Sequence, residues 1–242
     1  MQVWFDGLKN QFILNFVTDD RWRFLLNGLF VTLRITFFAL LIGIVIGVVV
    51  SIVRSTYDKN AAGMKRGAGR FLLRFFDSIC RFYLTVIRGT PVVVQLMIFY
   101  FIIFVNIRNG ELIGIIAFGI NSGAYIAEIF RSGIMSIDNG QFEAGRSLGF
   151  NYIQTMRHII IPQAFKNILP TLANEFIVLL KETAVVGYVA VQDLTKAGDI
   201  IRGRTFSAFM PLIAVALVYL ALVMFFTWLV SRLERRLRNS EH

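Results

Sequence analysis

Residues 25–53 read LLNGLFVTLRITFFALLIGIVIGVVVSIV, a run in which Arg34 is the sole charge. A helix over this run exceeds the roughly 20 residues needed to cross a bilayer core of about 30 Å. Near the other end, residues 211–230 form a second run with no charge at all. A soluble core helix of that length would keep a polar face, and neither run has one. The chain has 242 residues, of which 56% are hydrophobic, with a mean hydropathy of +0.66. The distribution of these residues excludes a water-soluble domain.

Between the two clear runs lie three weaker ones that hold polar residues. The predicted fold class is all-α, a polytopic transmembrane helical bundle in a single domain over 1–242. Its five spans fall at about 25–53, 82–105, 112–134, 164–190 and 208–231, with a cytoplasmic loop at about 135–163. In lipid, helices satisfy their own backbone hydrogen bonds, which is why each span must be helical or shielded. The non-spanning stretches are too short for an independent core.

The formal net charge is +10. In a soluble protein this would suggest nucleic acid, but a membrane protein collects Lys and Arg in its cytoplasmic loops. Segments 54–81, 131–166 and 232–238 hold 15 basic residues, whereas 1–23, 106–111 and 188–207 hold 7, together with Asp6, Asp19, Asp20, Glu111, Asp193 and Asp199. The first set is therefore expected inside, with the N-terminus outside and the C-terminus cytoplasmic, as an odd number of spans requires. The segment 54–76 carries Arg54, Lys59, Lys65, Arg66, Arg70 and Arg74 with Gly63, Gly67 and Gly69, and reads as a cytoplasmic loop touching anionic headgroups rather than nucleic acid.

The first twenty residues lack the basic region and cleavage site of a signal peptide. Trp4, Leu8, Phe12 and Phe16 recur every four residues and make an apolar stripe on a short helix. An interfacial helix and a helix packed on the spans both fit it. Cys80 is the single cysteine, so no internal disulfide forms.

The segment 141–162 opens with QFEAGRSLGF and closes with IIIP at 159–162. It reads as a short helix over 143–148, with Glu143 near its start where a carboxylate favours the helix dipole. Gly149 ends it, and Pro162 opens the next helix, where its missing N–H is tolerated. Docking of this helix into a partner's groove and an ordinary ordered loop both fit these residues.

The spacing of Glu143, Ala144 and Gly145, then Gly149, then Ile159, Ile161 and Pro162 resembles the signature loop of permease subunits of ATP-binding-cassette importers. Gly145 replaces the usual alanine and Ile161 the usual leucine. RGTPVVVQ (88–95), GAYIAEIFRSG (123–133), NEFIVLLKET (174–183) and NGLFVTL (27–33) resemble the polar amino-acid, histidine/glutamine-type branch. The resemblance implies that Glu143, Ala144, Gly145, Arg146 and Gly149 form a coupling helix seated in an ATPase. It implies two ATPase subunits, a second permease subunit (identical or related), and an extracytoplasmic amino-acid-binding protein. The setting would be the bacterial inner membrane.

Intramembrane polar residues are costly and face protein or water. Thr90, Gln95, Asn121, Glu175, Lys181 and Glu182 are the candidate lining of a substrate pathway. Glu175 and Glu182 are seven apart and share a helix face, and Tyr125 and Glu128 continue the face of Asn121. An interhelical polar network is the competing reading, and for Glu128 and Arg131 a salt bridge near the membrane face is preferred. Arg34 either snorkels to the outer face or contacts a substrate carboxylate. Gly43 and Gly47 would permit close helix approach.

No Gly-x-x-x-x-Gly-Lys-Ser/Thr phosphate loop occurs, so ATP and Mg belong to a separate partner and the chain itself is not expected to be an enzyme. His158 and His242 are the only histidines, no metal-ligand cluster is present, and no cofactor is expected on this chain. His158 falls to the flank of the 141–162 segment. The alternative function is a stand-alone secondary transporter or channel, in which intramembrane carboxylates would carry a proton or cation.

Overall fold

The structure, a computed structural model, describes residues 2–60 and 67–239, with side chains from 6–59 and 67–237. Among the described residues all regular secondary structure is helical, without a strand. The helices are α1 (Gln2–Phe12), α2 (Trp22–Asn60), α3 (Ala68–Gly89), α4 (Val92–Ile98), α5 (Gly110–Met135), α6 (Asn139–Ser147), α7 (Tyr152–Thr155), α8 (Ile161–Glu182), α9 (Leu194–Thr205) and α10 (Phe209–Asn239). Trp22–Lys59, Gly110–Met135 and Phe209–Leu237 are long and apolar enough to cross a membrane, and Ala68–Gly89 with Val92–Ile103 makes a fourth if the bent pair counts as one broken span.

Three differences from expectation have local causes. The segment 54–76 is mostly helix rather than loop: α2 continues to Asn60 and α3 starts at Ala68. Arg70, Arg74 and Arg81 recur at helical spacing beside the exposed Phe71, Phe75 and Phe82, a basic amphipathic pattern that reads as helix. Gly63, Lys65 and Arg66 lie outside the described residues.

The second expected span, 82–105, is broken at Thr90–Pro91. Proline disfavours the helical region for the residue before it, and Thr90 is extended (φ −124°, ψ 147°). The expected fourth span, 164–190, corresponds to α8 and a 3₁₀ turn at Thr183–Val189. Lys166, Asn167, Asn174, Glu175, Lys181 and Glu182 keep α8 out of the set of long apolar helices.

The chain divides into two units. The first comprises Met1–Ala39, Val92–Phe118 and Ile177–Trp228. Ile35, Ile113, Phe118, Leu180, Val186 and Leu194 are fully buried in it. A β-carbon on Gly28 of α2 would stand 2.6 Å from the Asp193 carbonyl oxygen, so this close crossing requires glycine. Nearby, the Leu194 N–H donates to Thr32 Oγ1 at 3.1 Å. The N-terminal segment is fastened through buried Asn15, whose Oδ1 accepts from Thr205 Oγ1 at 2.8 Å. Of the N-terminal stripe, Phe16 is buried and Phe12 exposed, because a π-helical turn at Ile13–Val17 shifts the periodicity; the Trp4 side chain lies outside the described residues.

The second unit comprises Leu40–Pro91, Gly119–Phe176 and Leu229–His242. Here Gly43 and Gly47 do let α2 approach α5: a β-carbon on Gly47 would stand 2.5 Å from Ile126 Cγ2 and 2.9 Å from the Ala127 nitrogen. Asp77 of α3 is 2% exposed and accepts from Arg54 Nη1 and Arg81 Nε, both at 2.8 Å. A buried carboxylate survives in such a place only when paired.

Candidate functional site

The corner from α6 to α7 is specified by its own sequence. Asp138 caps α6, accepting from the Gly140 N–H at 2.6 Å. At the other end, the Gly149 N–H donates to the Arg146 carbonyl at 2.9 Å and the Phe150 N–H to the Gly145 carbonyl at 3.0 Å. This is a Schellman ending, which needs a left-handed residue, and Gly149 has φ +79°. Asn151 then starts α7 through a capping box with Gln154. Helix continues from there through a π-helical turn at Met156–Ile160 into α8.

Two details correct the expected course. α6 begins at Asn139, so Glu143 lies in its second turn and the dipole-favouring carboxylate is that of Asp138. Helix resumes at Tyr152 rather than at Pro162. The π turn lets the Ile161 N–H reach Met156, so Pro162 enters an existing helix where its missing donor is absorbed.

Below the corner, Ile134, Ile137, Ile160, Ala164 and Ile168 form a buried cluster against which Phe142, Met156 and Ile159 pack. One face of α6 is thus held to α5 and α8. The other presents Glu143, Ala144 and Arg146 to the exterior, with Gly149 exposed beyond them. Gly145 alone of the five candidate coupling residues is buried: a β-carbon there would stand 2.6 Å from Thr155 Cγ2. Thr155 thereby accounts for glycine at the position where the resembling family carries alanine.

Lys59, at the end of α2, was a member of a basic stretch in the sequence and becomes part of this corner. Its Nζ donates to Asn139 Oδ1 at 2.8 Å and stands 4.3 Å from the Phe142 ring centroid. A cleft of about 340 Å³ opens between Lys59, Phe142, Glu143, Arg146, Tyr152 and Thr155. Nothing in the spacing of residue 59 relative to 139–155 signalled that contact. His158 lies on the flank, in the π turn, with its ring 6.1 Å from that of Phe150.

The six candidate pathway residues are divided between the two units. Thr90, Asn121 and Glu175 belong to the second, and Gln95, Lys181 and Glu182 to the first. In the second unit Ser122 Oγ donates to Glu175 Oε1 at 3.0 Å, a partner that the sequence reading left out. Asn121 is buried on α5 beside it. Thr90 Oγ1 donates back to the Val86 carbonyl at 2.8 Å and thereby closes the broken end of α3. Above it Arg88 lies 5.7 Å from the Tyr125 ring centroid, at a cleft of about 460 Å³. In the first unit Gln95 is buried on α4, Glu182 is half-buried and Lys181 exposed.

Three further charges singled out by the sequence are paired. Arg34 meets the Glu111 carboxylate at 3.2 Å, and Arg131 bridges Glu128 at 2.5 Å and Asp58 at 3.4 Å. These ion pairs satisfy Glu128 and Arg131 structurally. Among the described residues there is no group of His, Cys, Asp and Glu that could hold a metal.

Residues 61–239 match the family described as binding-protein-dependent transport system inner membrane component. The chain is similar to the arginine transport system permease protein ArtQ of Bacillus subtilis, 36% identical over 228 residues, covering 90% of this chain and 94% of the relative. It is also similar to the glutamine transport system permease protein GlnP of Escherichia coli, 36% identical over 181 residues, 73% of this chain and 81% of the relative. Among solved structures it resembles an amino acid ABC transporter crystallised with histidines, with a TM-score of 0.78 at 39% identity over 88% of this chain and 94% of that one. The inward-facing methionine ABC transporter MetNI shares the fold at TM-score 0.75 and 22% identity, over 91% of this chain and 99% of that one. The chain is a multi-pass membrane protein and belongs to the family of binding-protein-dependent transport system inner membrane components.

Proposed function

We propose that this chain is the permease subunit of an ATP-driven importer of a polar amino acid. Two such subunits, identical or related, would enclose the pathway, each with an ATPase that binds ATP and Mg, while an extracytoplasmic binding protein delivers the cargo. The bent pair of α3 and α4, and α8 with its 3₁₀ extension, would complete five spans, with the N-terminus outside and the C-terminus cytoplasmic. The observation that carries this reading is α6: a capped helix, anchored on its inner face to α5 and α8, with Glu143, Ala144 and Arg146 outermost. Such a helix can transmit a push from a partner into two spans as a rigid body. The similarity to arginine and glutamine permeases supports the amino-acid class. Thr90, Gln95, Asn121, Glu175, Lys181 and Glu182 are proposed to line the pathway, where acids would suit a cationic or amide side chain.

A stand-alone secondary transporter is not favoured, since the relatives are transport-system permeases. The test is uptake into liposomes holding the chain with and without its ATPase. ATP-dependent uptake is expected only with the ATPase, and Glu143→Lys is expected to abolish it while leaving membrane insertion intact. Uptake at full rate without the ATPase would refute the reading.

A further inference from the structure

The cleft beside α6 carries more positive charge than its own acids neutralise. Lys59 and Arg146 line it together with one carboxylate, Glu143. Neither Arg146 nor Glu143 enters an ion pair among the described residues, although nine other pairs do form. The Lys59 ammonium has three N–H donors. One goes to Asn139 and the charge lies over the Phe142 ring, so the site fixes the ammonium while leaving it donor capacity toward the cleft. On the same wall the Thr155 hydroxyl is buried with no hydrogen-bond partner. At the α6–α7 corner, Leu148 and Ile153 are 71% and 74% exposed. Apolar side chains beside a fixed charge are the makings of a protein interface rather than of a freely solvated surface.

We propose that this cleft receives a carboxylate side chain, aspartate or glutamate, from the ATPase partner, clamped between Lys59 and Arg146. The proposal rests on the coupling role of α6 and adds a second point of attachment. A carboxylate accepting from an ammonium and a guanidinium makes charge-assisted bonds, about twice as strong as neutral ones. Lys59 ends a helix of 39 residues. The ATPase would therefore grip α2 directly, as well as α6, and the Lys59–Asn139 bond would move the two together.

The experiment uses the purified permease–ATPase complex in lipid nanodiscs, treated with a carbodiimide that joins an amine to a contacting carboxylate without a spacer. Mass spectrometry is expected to find Lys59 linked to one Asp or Glu of the ATPase. Lys59→Arg is expected to remove that link and keep substrate-stimulated ATP hydrolysis. Lys59→Gln is expected to lower the stimulation on the order of tenfold, a loss in the range of a broken interfacial charge pair. The proposal is overturned if the ATPase stays bound and Lys59 links only to Glu143 or to nothing. It is equally overturned if Lys59→Gln keeps full stimulation, as it would were a lipid headgroup or free anion the occupant. A wild-type chain that retains no ATPase on co-purification would refute the coupling role of α6 itself.

Discussion

The Thr155 side chain occupies the volume beside Gly145: its Cγ2 stands 2.6 Å and its Oγ1 2.7 Å from where a β-carbon on residue 145 would be. The α6–α7 corner is therefore matched in size across ten residues of sequence. Gly145→Ala introduces the residue usual in the resembling family, yet it is expected to destabilise this chain by about 1–3 kcal/mol through overpacking. Thr155→Ala opens the space and removes a hydroxyl that has no partner. The double variant Gly145→Ala with Thr155→Ala is expected to recover most of the loss. Thermal unfolding of the four proteins in detergent gives the coupling directly; additive losses would refute the match.

Asp77 holds two arginines of unequal exposure. The Arg54 side chain is 15% exposed and that of Arg81 56%. Removing Asp77 leaves the more buried guanidinium without its counter-ion, so Asp77→Asn is expected to destabilise by about 3 kcal/mol. Arg54→Gln should be nearly as harmful, because it exposes the carboxylate to the same deficit. Arg81→Gln should lose less than about 1 kcal/mol, as an exposed pair does. Chemical denaturation of the three variants checks the order.

Gly43 and Gly47 are not equivalent. A β-carbon on Gly43 would stand 3.2 Å from the Gly123 backbone nitrogen, close but not forbidden, and 3.1 Å from the end of the Ile126 side chain, which can rotate away. On Gly47 it would meet the Ala127 backbone at 2.9 Å, which cannot. Gly47→Ala is expected to lower the unfolding temperature clearly and Gly43→Ala only slightly, with overpacking worth about 1–3 kcal/mol in the first case. Equal effects would show that α2 and α5 do not cross as described.

Asp193 caps α9 while buried, accepting from the Lys196 and Thr195 N–H groups at 2.9 and 3.1 Å. Burial pushes its carboxyl above the usual range, and the backbone donors pull it partly back. A carboxyl raised in the folded chain adds stability below its unfolded pKa of about 3.9 and loses it as pH rises through the folded value. Asp193→Asn keeps an acceptor for the cap and removes the buried charge. Relative to this variant, the wild type should lose stability as pH rises from about 4. Asp193→Ala should instead lose about 1 kcal/mol of capping at every pH. Melting temperatures across the pH series separate the two behaviours.

Much of the fold was legible because it is local. The long apolar runs made α2 and α10 plain and α5 less so, since a span needs only length and hydrophobicity. The helix end at Gly149 could be read from one glycine, whereas the candidate coupling residues rest on the resemblance of 143–162 to a family's signature loop. Helix starts were less legible: Glu143 drew attention as the early carboxylate, although Asp138 does the capping. α8 was expected as one of the weaker spans because of its polar residues, and it is indeed too polar to pass as a span by composition.

The sequence by itself determined the class of molecule, the long apolar runs, a short helix placed at 143–148 and ended by Gly149, and the absence of a phosphate loop. Those properties follow from the period and composition of neighbouring residues. Only the tertiary structure decided that Lys59 reaches Asn139, that Asp77 is buried between Arg54 and Arg81, that Ser122 serves Glu175, and why residue 145 is glycine. Apart from the Arg81–Asp77 bond within α3, each of these joins residues on different helices, from ten to eighty positions apart. Their meeting depends on where helix axes cross and how near they come, which glycine and proline positions permit but which no local pattern specifies.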